Sequence, residues 1–253
     1  MNTSVALTSL AGRTALVTGA ARRVGAAIAR GLHAEGANVA IHFRRSGSDA
    51  ESMRDELNAA RPGSAIAIEG DLLDVERLKA IVAATVGAFG SLDVLVNNAS
   101  SFYPTPLGEI TLAQWNDLLG TNLQAPLFLS QAAAPHLRKS QGLIVNMIDI
   151  HAQRPLPLHP VYSTAKAGLA MLTRSLAREL APDVRVNGIA PGPILWPEAG
   201  MPVEQQQAII GKTLLKRTGS PADIVRTVLF FAKDAPYVTG QILAVDGGRS
   251  VGW

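Results

Sequence analysis

The chain has 253 residues, 47% of them hydrophobic and none of them cysteine, so one or two well-packed domains are expected and disulfide scaffolds, thiolate metal sites and cysteine nucleophiles are excluded. Its net charge of +3 is compatible with an anionic ligand but falls well short of a nucleic-acid-binding surface. Residues 1–10 lack the features of a signal peptide, and no apolar run reaches the ~18 residues of a membrane span, so a soluble cytoplasmic protein without a membrane partner is expected.

Short apolar runs alternate with segments of helical periodicity along the whole chain. Seven strands are predicted, around residues 15–17, 39–41, 66–68, 92–96, 143–147, 184–189 and 242–245. Helices are predicted around residues 24–32, 49–60, 75–88, 112–119, 123–137, 161–180 and 221–231. This alternation indicates an α/β fold with a doubly wound parallel sheet covered by helices on both faces. Because no linker or repeat interrupts it, residues 1–253 are predicted to form one domain.

The first predicted strand ends in a glycine turn that runs from Gly19 to Gly25. This is where the doubly wound sheet of a Rossmann fold binds a dinucleotide, because glycine lets the backbone approach the phosphates and the following helix start attracts negative charge. Arg23 stands at the middle glycine of a G-x-x-x-G-x-G pattern. Gly19, Arg22, Arg23 and Val24 are therefore candidate cofactor residues; a purely structural turn is the alternative.

The end of the second strand indicates which dinucleotide is bound. NAD sites usually place a carboxylate here to hold the ribose hydroxyls, whereas this chain has Arg44, Arg45 and Ser46. Guanidinium groups suit a phosphate in charge and in geometry. NADPH is therefore predicted, with Arg45 and Ser46 on its 2′-phosphate and Arg22 in support. The alternative is a solvated basic turn.

Polar residues also follow the third and fourth strands, at the sheet edge where ligands bind in open α/β folds. Asp71 and Leu72 follow the third strand, where a carboxylate can accept a hydrogen bond from the adenine amino group. Asn98, Ala99 and Ser100 follow the fourth strand. These five residues complete the predicted cofactor edge.

Tyr162 and Lys166 lie one turn apart on a predicted helix, so their side chains are neighbours. A free phenol has a pKa of about 10. A nearby ammonium favours the phenolate and makes the phenol a better proton donor, which suits a reaction in which another group delivers a hydride. The motif is short and common, and an ordinary surface pair is the alternative.

Together these features resemble the short-chain dehydrogenase/reductase family, in the expected order and over nearly the whole chain. The matching elements are the glycine turn, Asp71, residues 97–99, Asn122, Tyr162, Lys166, Pro191 and Gly192. The resemblance implies that Lys166 binds the nicotinamide ribose and that Asn122 holds a bulged helix and a water. It also implies that Tyr162, Pro191 and Gly192 contact the cofactor. It also implies a homotetramer.

The face formed by Ala165, Leu169, Leu172 and Leu176 has two possible uses. It suits contacts between the subunits of such a tetramer, and it suits equally the internal core of one chain. The sequence leaves both alternatives open.

A closer resemblance is to the pteridine reductases, which reduce pterins and folates with NADPH. Asp149 stands thirteen residues before Tyr162, where the family usually has serine, and Arg23, residues 42–46 and residues 98–104 match as well. The loop over residues 191–197 looks like that of bacterial-type members. The resemblance implies a catalytic set of Asp149, Tyr162, Lys166 and Asn122. It also implies substrate contacts from Arg22, Ser100, Phe102, Asp149 and Tyr162.

In this interpretation Phe102 stacks on the pterin, and Asp149, hydrogen-bonded to Tyr162, helps to relay a proton to a ring nitrogen. The simpler alternatives are that Phe102 caps the sheet edge and that Asp149 is a helix cap or loop carboxylate. Residues 193–195 lack the serine of protozoan members, which leaves the balance of folate against biopterin open.

Two other functions are compatible with the sequence. The first is a carbonyl reductase of the same family, acting on a 3-oxoacyl carrier protein or a sugar ketone. The second is a non-catalytic NADPH-binding regulator. The histidines show no metal-ligand spacing, so no metal site is expected.

Overall fold

The computed structural model describes residues 9–198 and 200–252; the predicted absence of a signal peptide rests mainly on residues 1–8, which lie outside these ranges. The strands are β1 (Thr14–Val17), β2 (Asn38–Phe43), β3 (Ala65–Glu69), β4 (Val94–Asn97), β5 (Leu143–Met147), β6 (Arg185–Pro191) and β7 (Ile242–Val245). They form one sheet in the order β3-β2-β1-β4-β5-β6-β7. Every neighbouring pair is parallel, which confirms the predicted sheet.

Helices connect the strands and cover both faces of the sheet. They are α1 (Arg23–Ala34), α2 (Gly47–Ala60), α3 (Val75–Phe89), α4 (Leu112–Leu119), α5 (Ala125–Ser140), α6 (Pro160–Leu180), α7 (Val203–Gly211) and α8 (Pro221–Leu229). A π-helical segment, Gly120–Gln124, joins α4 to α5, and a second, Phe230–Asp234, follows α8. Helix α7 was not predicted, and the predicted last helix ends two residues early because the chain passes into this second π-helix.

Two hydrophobic cores lie on opposite faces of the sheet. On one face Val17 and Val96 pack against α1, α2 and α8. On the other face their neighbours Leu16 and Leu95 pack against α3, α5 and α6. This division follows from the alternation of side chains along a strand. Because both faces are covered, the strands read in the sequence as continuous apolar runs.

The apolar face of α6 serves the internal core. Ala165 and Leu169 are buried, and Leu172 and Leu176 are partly buried against the core clusters. The burial of Ala165 and Leu169 assigns these two residues to the internal core, whereas Leu172 and Leu176 remain partly exposed. The homotetramer stays a prediction.

The topology places a crevice at the carboxyl ends of the strands. The chain proceeds from β1 to β3 toward one edge of the sheet and from β4 to β7 toward the other. The crevice opens where the direction reverses, between β1 and β4, which is the ligand position in such sheets. Among the described residues, no helix is long and apolar enough to cross a bilayer, and no cluster of acidic and histidine side chains could hold a metal ion.

Candidate active site

The glycine turn after β1 packs so closely that its glycines cannot be exchanged freely. A Cβ atom on Gly25 would lie 2.3 Å from the carbonyl oxygen of Gly19, and a Cβ atom on Gly19 would lie 3.0 Å from the Cα of Ala99. The Asn98 amide donates hydrogen bonds to the carbonyl oxygens of Thr18 at 2.8 Å and Gly19 at 3.2 Å. Asn98 therefore ties the turn to the end of β4, beside its predicted contact with the cofactor.

Arg23 occupies the middle glycine position with a backbone that glycine would favour. Its φ of 55° lies in the left-handed region, where an L side chain is strained. The side chain leaves the turn, and its Nη2 atom donates a hydrogen bond of 2.9 Å to the carbonyl oxygen of Trp196, in the loop after β6. The departure from the glycine pattern thus creates a link between two loops.

His42, in β2, holds the glycine turn through a hydrogen bond. The sequence did not predict this role. Its Nδ1 atom accepts a hydrogen bond of 3.2 Å from the Gly19 N–H, and its Nε2 atom lies 3.2 Å from the carbonyl oxygen of Gly70. Burial lowers the pKa of His42 to about 4, so the imidazole is neutral and can accept at one nitrogen while donating at the other. An imidazole inside an otherwise apolar strand was the available signal in the sequence.

A cavity of about 360 Å³ opens beside the turn. It is lined by nine of the predicted cofactor residues, Gly19, Arg22, Arg23, Val24, Asp71, Leu72, Asn98, Ala99 and Ser100. Arg44, His42, Ser101 and Thr121 also line it and were not assigned from the sequence. Arg45, Ser46, Pro191 and Gly192 are outside its lining, so their contacts with a cofactor stay predictions.

These residues fit a dinucleotide. The turn has no room for a side chain at Gly19 or Gly25, and it leads into the start of α1, where backbone N–H groups and the helix dipole favour a phosphate. Arg22, Arg23 and Arg44 supply positive charge around the same cavity. Asp71 also lines the cavity, with its carboxylate 3.8 Å from an Arg44 nitrogen. The chemistry of this set, guanidinium groups around a glycine cradle, suits a phosphorylated cofactor.

Next to the cavity, Asp149 and Tyr162 form a hydrogen-bonded pair. The Tyr162 hydroxyl donates to the Asp149 Oδ2 atom at 2.8 Å, and the Asp149 Oδ1 atom accepts from the His151 N–H at 2.8 Å. Asp149 lies just beyond β5, and Tyr162 lies in the first turn of α6, so the parallel fold brings the two together. Asp149 also caps the short 3₁₀-helix Ile150–Ala152, so its predicted pairing and its simpler alternative are both present.

Lys166 lies beneath Tyr162 and is almost completely buried. Its Nζ atom donates a hydrogen bond of 2.8 Å to the Met147 carbonyl oxygen and lies 5.6 Å from the centre of the Tyr162 ring. Burial lowers the pKa of Lys166 to about 8, although the nearby Asp149 carboxylate opposes the shift. The ammonium is therefore retained at neutral pH but lost in mild alkali.

The expected lowering of the Tyr162 pKa by Lys166 is wrong for this arrangement. Burial, and then the charge of Asp149 and its hydrogen bond, raise the pKa of Tyr162 well above its usual value. The reason is that Lys166 lies against the ring while the carboxylate holds the hydroxyl itself. The Tyr162 hydroxyl is therefore protonated in this arrangement, and the phenolate is disfavoured.

Asn122 lies in the π-helical segment between α4 and α5, which confirms the predicted bulge. Its amide donates to the carbonyl oxygens of Ser101 at 2.9 Å and Leu118 at 3.0 Å. Its Oδ1 atom accepts a hydrogen bond of 2.7 Å from the Ser100 hydroxyl. The buried amide therefore satisfies irregular backbone and fixes Ser100 at the edge of the cavity.

Phe102 is half exposed and belongs to a group of three rings. It meets Tyr162 edge to face at 4.8 Å, and the His159 imidazole stacks on it at 4.8 Å with an angle of 12° between the planes. A flat ring system thus already packs on Phe102, which is the type of contact predicted for a pterin. His159 had no assigned role in the sequence, and its imidazole covers one face of Phe102.

Comparison with known proteins agrees with this geometry. The sequence model of a family described as enoyl-(acyl carrier protein) reductase matches residues 19–250. The chain is 39% identical to pteridine reductase 1 of Leishmania tarentolae, with 96% of this chain and 98% of the relative covered. It is 38% identical to a 3-oxoacyl-(acyl-carrier-protein) reductase of Staphylococcus aureus, with 93% and 97% covered. With its parallel sheet, its glycine turn and these relatives, the chain belongs to the short-chain dehydrogenase/reductase family of oxidoreductases.

Proposed function

We propose that the protein is an NADPH-dependent pteridine reductase that converts dihydropterins or dihydrofolate to their tetrahydro forms. The observation that carries this proposal is the hydrogen bond of 2.8 Å that the Tyr162 hydroxyl donates to the Asp149 carboxylate. A serine hydroxyl at this position suits the polarisation of a ketone. A carboxylate suits the delivery of protons to a ring nitrogen.

Each residue of the site has a separate role in the proposed reaction. The cofactor, when bound, supplies a hydride. Tyr162 donates its proton to the ring nitrogen, and Asp149, which holds the same hydroxyl, is placed to take up a proton from solvent and pass it to the Tyr162 phenolate. Lys166 offsets the negative charge that develops on Tyr162 as the proton leaves.

The proposed cofactor and substrate contacts follow the lining of the crevice. The glycine turn, Arg22 and Arg23 would hold the diphosphate. Arg44 lines the cavity, and Arg45 and Ser46 follow it directly, so this turn is proposed to bind the 2′-phosphate that distinguishes NADPH from NADH. Phe102 would stack on the planar substrate, with Ser100 at its edge.

A reductase of 3-oxoacyl groups carried by acyl carrier protein is the second candidate. The 38% identity to such an enzyme and the printed description of the matching family model favour it. The decisive experiment is a steady-state assay that compares dihydrobiopterin, dihydrofolate and a 3-oxoacyl thioester, each with NADPH and with NADH. Turnover of a dihydropterin with NADPH supports the proposal. Turnover of the thioester alone would contradict it.

The substitution Asp149→Ser is expected to separate the two candidates further. It removes the carboxylate but keeps a hydroxyl beside Tyr162, so pterin turnover should fall by about 10²-fold, the lower end of a lost acid–base group. Turnover of a ketone should be retained or increased. The kcat of the variant for both substrate classes is the measurement.

The matched control for this variant is Asp117→Ser. Asp117 accepts a hydrogen bond of 2.9 Å from Tyr103, a second tyrosine–aspartate pair away from the proposed proton path. Its replacement is expected to leave pterin turnover near that of the parent. Equal pterin activity in the Asp149 variant would contradict the assigned relay.

The pH profile is expected to report Lys166. Because the pKa of Lys166 is about 8, kcat/KM should be level below this pH and fall about tenfold per unit above it, as the ammonium is lost. Tyr162 cannot cause this fall, since its pKa is raised well above 10. In Lys166→Arg, where the guanidinium stays charged, any remaining activity should show no fall near pH 8. A profile of the parent that stays level to pH 10 would contradict this role.

A further inference from the structure

A second cavity, of about 270 Å³, lies at the amino ends of the strands, on the edge of the sheet opposite to the candidate active site. Arg13, which precedes β1, and the first residues of three further strands line it, namely Val94, Leu143 and Arg185. Part of the second π-helical segment, with Lys233, forms another wall. The proposed reaction uses none of these residues.

Two of the three cationic side chains in this cavity are neutralised by carboxylates. The Arg13 Nη1 atom donates to the Asp93 Oδ1 atom at 2.7 Å, and the Asp93 Oδ2 atom accepts from the Thr14 N–H at 2.9 Å. Lys233 forms an ion pair with Glu35. These two pairs therefore leave no net charge for a ligand to balance.

Arg185, the third cation, has no counter-ion. Its Nη1 atom donates to the carbonyl oxygens of Phe231 at 2.8 Å and Ala235 at 3.0 Å. In residues 9–198 and 200–252, its Nε and Nη2 atoms have no acceptor, and no carboxylate lies within ion-pair distance. Burial lowers the pKa of Arg185, and no carboxylate opposes this shift. The edge formed by Nε and Nη2 thus offers two parallel donors, which fit a carboxylate.

Asp183 is the opposite case in the same cavity. Its Oδ1 atom accepts a hydrogen bond of 3.3 Å from the Gln141 Nε2 atom, and no cation of the described chain pairs with it. A simple anion would gain from Arg185 but be repelled by Asp183, and a simple cation would meet the reverse. A molecule that carries both charges satisfies both groups.

We propose that this cavity binds a small zwitterion of the α-amino-acid class, with its carboxylate on Arg185 and its ammonium group on Asp183. Val94, Leu143 and Pro236 also line the cavity and suit a short apolar side chain. The proposal goes beyond the proposed function and does not depend on it, because the two cavities lie at opposite edges of the sheet.

The test is a calorimetric titration of the parent protein at neutral pH with L-alanine and two truncated forms of it. Propionate lacks the ammonium group, and ethylamine lacks the carboxylate. L-Alanine is expected to bind at least about tenfold more tightly than either, since each truncated form leaves one charge of the cavity unpaired. Saturating NADPH should not change the affinity for L-alanine. Displacement of L-alanine by NADPH would place it in the other cavity and overturn the proposal.

Two variants assign the contacts. Asp183→Asn should lose most of the preference for L-alanine over propionate. Arg185→Lys should bind L-alanine about tenfold more weakly, because an ammonium group does not offer two parallel donors. Thermal unfolding shows whether each variant is folded. Asp183 makes one hydrogen bond to a side chain, so its variant keeps the proposal testable even if Arg185→Lys does not fold.

The matched control is Asp234→Asn, which removes the same charge from an exposed residue of the second π-helical segment that does not line the cavity. It should keep the parent preference for L-alanine. Loss of that preference here as well would mean that general electrostatics explains it, and the proposal would be wrong. Absence of L-alanine binding, equal binding of propionate, or unchanged binding in both site variants would each overturn it too.

Discussion

The variant Tyr162→Phe is expected to lose about 10²- to 10⁴-fold in kcat while its Kd for NADPH changes by no more than a few-fold. The substitution removes the hydroxyl that Asp149 holds at 2.8 Å and keeps the buried ring that packs against Phe102. The loss is therefore confined to proton transfer. Steady-state kinetics and a calorimetric titration with NADPH measure the two quantities separately.

Tyr103→Phe is the control for this variant. Tyr103 is a partly buried phenol packed beside Tyr162, but its hydroxyl donates to Asp117 at 2.9 Å, whereas the Tyr162 hydroxyl donates to Asp149. It is expected to keep most of the activity. If Tyr162→Phe retains the parent kcat, Tyr162 is not the proton donor. If the parent binds NADPH and shows no turnover with any substrate, the non-catalytic regulator becomes the better interpretation.

The substitution Gly25→Ala is expected to weaken NADPH binding by at least tenfold, or about 1.4 kcal/mol. The added methyl group would lie 2.3 Å from the Gly19 carbonyl oxygen and 2.5 Å from the Asn98 amide nitrogen. The turn must move to make room, and it then no longer presents its backbone to the phosphate. Overpacking of this kind also destabilises a fold by about 1–3 kcal/mol. Calorimetric titration and thermal unfolding check the two effects.

Gly87→Ala is the matched control, because an added Cβ atom there meets no other atom within 4 Å. Gly87 lies within α3, so alanine should stabilise the protein by about 0.4–1 kcal/mol and leave NADPH binding unchanged. Binding by Gly25→Ala with the affinity of the parent would mean that the phosphate does not approach this turn.

The sheet could be predicted because the signals for its strands and first turn lie in short stretches of the sequence. Parallel strands covered on both faces read as apolar runs, and the glycine turn after β1 shows where the first crossover begins. Helix α7 could not be predicted in this way, since it buries none of its residues and therefore shows no apolar periodicity. The loop that precedes it is fixed by contacts with Arg22 and Arg23, which are distant in the sequence.

The sequence predicted which residues form the site better than it predicted their exact contacts and protonation states. That Arg44 lines the cavity while Arg45 does not depends on the backbone of one turn, which two adjacent arginines do not reveal. The raised pKa of Tyr162 depends on which group contacts the hydroxyl. The family resemblance placed Asp149 beside Tyr162, but only the fold shows that this contact outweighs Lys166 and raises the pKa of Tyr162.

The π-helical segment between α4 and α5 also changes the angular phase of the helix that contains it. Each residue of an α-helix turns the chain by about 100°, so one extra residue rotates everything beyond it by that angle. As a result α4 directs Leu118 toward α6 and the tyrosine, whereas α5 directs Leu129 and Leu137 toward α3 and the sheet. The continuous helical segment formed by α4 and α5 thereby packs against two different sets of neighbours. Asn122 lies in the π-helical turn between the two helices.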